Sequence, residues 1–143
     1  MRRLAASAAL TLTILLLTTF AVAGPATAEP APGSPRTYGT LLTYHQAKMQ
    51  ACKVLIRDGA AWQVWVRGNN SNGAHGHLFS AQVIDRQDEV RARWQARPGA
   101  GQVSDPTPLV VRRNAGWMLT AAMGELSGEA LGGGWTMDQL RVC

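Results

Sequence analysis

A chain of 143 residues with 46% hydrophobic and 16% charged side chains carries enough apolar surface for one packed core, which excludes a disordered or fibrous protein and leaves no room for two full domains. Its formal net charge of +5 is spread along the chain rather than gathered into one basic stripe, which argues against a nucleic-acid partner.

The chain opens with Arg2 and Arg3, continues into an apolar run from Leu10 to Phe20, and reaches Ala26-Thr27-Ala28 before Glu29. This order of basic, apolar and small residues predicts a secretory signal peptide over residues 1–28, with a second cleavage site after Ala23. The apolar run is short for a membrane span, so no stable anchor is expected after cleavage. The expected location is therefore secreted, by the general route. Removal of residues 1–28 takes two basic residues and no acidic one, leaving twelve against nine, a net charge of +3.

Residues 29–36 are rich in proline and read as a flexible mature N-terminus, so the folded domain spans 37–143. From Thr37 to Ala51 the signal is mixed between strand and short helix, with a strand favoured over 38–44. Two runs of branched and aromatic residues then flank Asp58-Gly59, the mark of a β-hairpin. A two-residue loop would set Leu55 opposite Trp62. A three-residue loop, Arg57-Asp58-Gly59, would set Val54 opposite Trp62 and Cys52 opposite Val64, which sorts apolar from polar faces more cleanly. This second register is the sequence-based expectation. It places Cys52, Val54, Ile56, Trp62, Val64 and Val66 inward and turns Gln63, Trp65 and Arg67 outward, where Trp65 is a candidate platform for a sugar ring or protein partner.

Residues 68–77 read as an Asn- and Gly-rich loop, Leu78 to Asp85 as a strand, and Val90 to Arg97 as a strand with alternating outer arginines. Residues 98–108 contain three prolines and two glycines and read as the longest irregular connection. Leu109 to Arg112 and Trp117 to Met123 form a second hairpin, Ser127 to Gly134 a glycine-rich loop, and Trp135 to Cys143 a closing strand. Six or seven short strands at this spacing predict an all-β fold, an antiparallel β-sandwich or small barrel. In an exported chain Cys52 and Cys143 pair as one disulfide.

His75-Gly76-His77 is the candidate metal centre, because alternating imidazoles at a strand edge can face one ion. A third ligand from His45 or an acid would be required, and the sequence alone places none there. No nucleophile elbow or phosphate-cradling loop is present, so no catalytic residue and no cofactor are assigned. The leading functional reading is a non-catalytic binding module for an extracellular protein or polysaccharide. The alternatives are a hydrolase inhibitor presenting loop 98–108 and a small metal-dependent enzyme.

The signal peptide, Cys52, the Ala61-Trp62-Gln63-Val64-Trp65-Val66-Arg67 strand and a terminal cysteine together resemble the small exported β-proteins of actinobacteria, a kinship that the excess of arginine over lysine also fits. The resemblance implies a fold and a compartment and carries no functional residue.

Overall fold

The computed structural model describes residues 35–125 and 128–143. The expected signal peptide and residues 29–34 lie outside the described residues.

The fold is an all-β sandwich of two antiparallel sheets. One sheet holds β1 (Gly39–Tyr44), β2 (Ala47–Ile56), β3 (Ala61–Asn70), β6 (Gln102–Val103) and β7 (Thr107–Arg112), with β6 and β7 both paired to β3. The other runs in the order β5-β4-β8-β9, with β4 (Leu78–Ile84), β5 (Val90–Ala96), β8 (Met118–Gly124) and β9 (Ala130–Thr136). Among the described residues there are thus nine strands. The irregular connection expected over 98–108 contributes the short β6 and the start of β7. Ser104 joins these two to one edge: its amide donates to the Gly68 carbonyl and its Oγ accepts from the Gly68 amide.

Alternate side chains fill the space between the sheets. Met49, Val64, Val66 and Val111 from one sheet meet Phe79, Val83, Leu119 and Met123 from the other, all essentially inaccessible to water. Full burial of each such side chain contributes about 1.5–3 kcal/mol. The close approach depends on Gly68, where an added Cβ would stand 2.7 Å from the Phe79 ring. Trp94 is buried, and Trp62, Trp117 and Trp135 pack partly buried against the same core.

The hairpin adopts the register that face sorting argued against. Leu55 lies opposite Trp62, Val54 opposite Gln63 and Cys52 opposite Trp65. Asp58 and Gly59 have φ of 50° and 90°, and the Ala60 amide donates to the Arg57 carbonyl. This is the two-residue, positive-φ turn that matches strand twist and favours Asp-Gly. Face sorting misleads because β2 is buried on both faces: Ala47, Met49, Ala51 and Lys53 on one, Cys52 and Val54 on the other. Cys52, Val54 and Ile56 consequently share the outer face with Gln63 and Trp65, and Lys53 turns inward.

The C-terminal region also departs from expectation. Gly132, Gly133 and Gly134 lie within β9 rather than in a loop. Glycine is tolerated here because β9 is an edge strand, and at Gly133 it leaves room for the Trp135 ring, 2.8 Å from where a Cβ would stand. The chain then makes a 3-10 turn over Met137–Gln139 and crosses to the first sheet. There the Lys53 amide donates to the Arg141 carbonyl at 2.8 Å and the Cys143 amide to the Lys53 carbonyl at 3.0 Å. The predicted Cys52–Cys143 disulfide closes this contact. No helix among the described residues is long and apolar enough to cross a membrane.

Candidate metal centre

At one end of the sandwich the β1–β2 turn, the loop before β4 and the residue after β8 converge. His77 closes the loop after β3 and is 2% exposed. Its Nδ1 lies 3.0 Å from the carbonyl oxygen of His75. A carbonyl only accepts, so Nδ1 carries the proton and the lone pair of the neutral ring sits on Nε2. That Nε2 is buried without a hydrogen-bond partner among the described residues, an arrangement that calls for an explanation.

Its neighbours supply one. His45, at the tip of the β1–β2 turn, and Glu125, just beyond β8, each bring a ligand atom, and the three atoms lie within 4.8 Å of one another. His45 Nδ1 and Glu125 Oε1 are 3.4 Å apart, close to the spacing of about 3.4 Å that tetrahedral geometry gives two ligands bonded at 2.0–2.1 Å. The His45 ring is stacked on Tyr44 at a centroid distance of 4.1 Å, and Tyr44 meets His77 edge-on at 5.8 Å. His45 and Glu125 have side chains 64% and 40% exposed, so an ion could enter from solvent and the exposed ligands could close on the fixed one.

The fixed ligand is held from below by Asn70, which is fully buried. Its Nδ2 donates to the carbonyl oxygens of His75 at 2.7 Å and Gly99 at 2.9 Å, and its main-chain carbonyl accepts from the amides of Gly73 and Gly101. Asn70 therefore sets the His75 carbonyl that orients the His77 ring, the outer-shell role that fixes a ligand's tautomer. His45, His77 and Glu125 are far apart in the sequence. Of the expected pair, His75 is exposed and its main-chain oxygen meets His77 Nδ1, while His45 and Glu125 are the residues whose possible ligand atoms lie near those of His77.

The other sequence-derived candidates are placed as follows. Trp65 faces outward but is half-buried, with the Arg36 guanidinium 3.7 Å from the ring centroid. The face meant for a sugar is thus occupied. Gln63 is half-buried beside it, and Arg67 is engaged by Gln50 at 2.9 Å and stacks on Tyr38. In the segment 98–108, Pro98, Gly99 and Gly101 are bonded to Asn70, residues 100–103 are exposed, and Thr107 begins a strand. No protein-family model, curated protein or solved structure matches the chain. The likeness to exported actinobacterial proteins accordingly rests on the layout of the sequence alone.

Proposed function

We propose that this protein is an exported, non-catalytic β-sandwich module that binds one divalent transition-metal ion through His45, His77 and Glu125. The observation that carries this reading is the buried His77 ring, whose Nε2 has no hydrogen-bond partner among the described residues and which stands in one cluster of possible ligand atoms with His45 and Glu125. Two imidazoles and a carboxylate suit zinc, copper, nickel or iron rather than calcium or magnesium, and copper binds such a set more tightly than zinc or nickel. Three protein ligands leave a coordination position open to water or to a group on a partner. Export is supported by the N-terminal sequence and the disulfide.

Calorimetric titration of the mature protein with zinc and copper tests this. One ion per chain is expected to bind with micromolar or tighter affinity, and His77→Ala and Glu125→Gln should each weaken binding at least tenfold. Absence of micromolar binding by the wild type would overturn the reading.

A further inference from the structure

The opposite end of the sandwich carries a second, unrelated feature. The β2–β3, β4–β5 and β7–β8 turns and the 3-10 turn after β9 enclose a cleft of about 480 Å³, open to solvent. Its walls include Trp62, Trp117, Arg86, Arg112, Arg113 and Asp138. Among the described residues none of the three arginines has a carboxylate within ion-pair distance, whereas Arg91 nearby is bound by Asp85 and Glu89. The volume lies within the range of small-ligand sites.

Behind this wall lies a buried cation. Lys53 turned inward when the hairpin took its two-residue register, and it is 6% exposed. Its Nζ donates to the Met137 carbonyl and lies 4.6 Å from the Trp62 ring centroid. No acid among the described residues is paired with it. An ammonium withdrawn from water without a counter-charge is costly, and here the Met137 carbonyl and the Trp62 ring offset part of that cost. Arg86 is also positioned rather than loose: Gly116, with φ of 69°, lets its guanidinium lie against the turn where a Cβ would stand 2.2 Å from Nε. One carboxylate, Asp138, lines the cleft with the three arginines, and a cleft lined mostly by one sign of charge concentrates counter-ions.

We propose that this cleft binds a carboxylate-bearing sugar unit of an acidic polysaccharide. Arginine forks match carboxylates in paired hydrogen bonds; Trp62 is overlain by Lys53 and Arg113, so it is the half-buried Trp117 that offers indole surface to the apolar C–H side of a pyranose ring. The site is independent of the metal centre, because β2 alone separates the two ends by roughly 30 Å.

Titration with a trigalacturonate, a neutral cellotriose and a triglutamate, followed by calorimetry and tryptophan fluorescence, tests the proposal. The trigalacturonate should bind at least tenfold tighter than either comparison ligand. Arg86 and Arg112 are exposed, so the Arg86→Gln/Arg112→Gln double variant should remain folded and lose at least tenfold in affinity. Asp138→Asn should tighten binding about twofold. Equal affinity of wild type and the arginine variant would overturn the site. Equal binding of triglutamate would overturn recognition of the sugar ring, leaving charge alone.

Discussion

At the scale of single residues, His45 and Gln46 bear the clearest mark of selection for something other than stability. They are the two central residues of the β1–β2 turn and have φ of 43° and 66°. Such a turn favours Asn-Gly, because positive φ is uncommon for residues other than glycine, with Asn, Asp and His adopting it more readily than a residue such as Gln. Each non-glycine residue held there costs on the order of 1 kcal/mol. Replacing the pair, as His45→Asn/Gln46→Gly, should therefore raise the stability of the metal-free protein by about 1–2 kcal/mol while reducing metal affinity at least tenfold. Chemical denaturation and calorimetry on the same preparation would check this. A variant that is less stable, or that binds metal as well as the wild type, would show that the strain serves no ligand. His77 was legible in the sequence as one half of a spaced histidine pair. His45 or an acid could be named as a third ligand but not placed, since His45 and Glu125 reach His77 only through the contact between the two sheets, which no local spacing encodes.

Turns decide more than strands at the scale of elements. The strand positions of β4, β5 and β8 could be read from alternation, because one face of each meets the core. The β2–β3 register could not, since both faces of β2 are covered, and only the chemistry of Asp58-Gly59 distinguished the true pairing. The β4–β5 turn shows how a buried acid can organise such a connection. Asp85 Oδ1 accepts from the amides of Gln87 at 2.9 Å and Glu89 at 3.0 Å, and Oδ2 accepts from Arg91 Nε at 2.6 Å. Burial by itself would push this carboxyl upward, but the Arg91 guanidinium and the two amides outweigh it and hold the carboxyl below its ordinary range. A group lowered in the folded state lends stability that is complete above the ordinary carboxylate value of about 4 and is lost as the pH falls through and below it. The urea midpoint of the wild type, measured with a chelator present, should exceed that of Asp85→Asn most at neutral pH. The gap should close toward pH 3. A gap that stays constant across this range would mean that Asp85 acts through shape and not through charge.

For the whole molecule, the disulfide is the link that makes a two-sheet sandwich into one closed object. The last strand belongs to the second sheet, yet residues 141–143 are hydrogen-bonded beside β2 in the first, so the crossing through Met137 and Leu140, both buried, spans the sandwich. Cross-linking residues so distant in sequence removes denatured-state entropy worth about 4.5 kcal/mol in the simplest chain model. Native contacts of the tail add to this, but they are few. The Cys52→Ala/Cys143→Ala variant should accordingly unfold in urea with a stability lower by about 3 kcal/mol and with a larger dependence on denaturant, because its unfolded chain is free to expand. Loss of stability with an unchanged denaturant slope would instead locate the effect in the native tail. The two ligand sites should respond differently to the same change. The metal cluster draws on turns at the far end and should keep its affinity in the folded variant. The basic cleft is walled by Met137 and Asp138 on the released segment, so its anion affinity should fall together with the order of the tail.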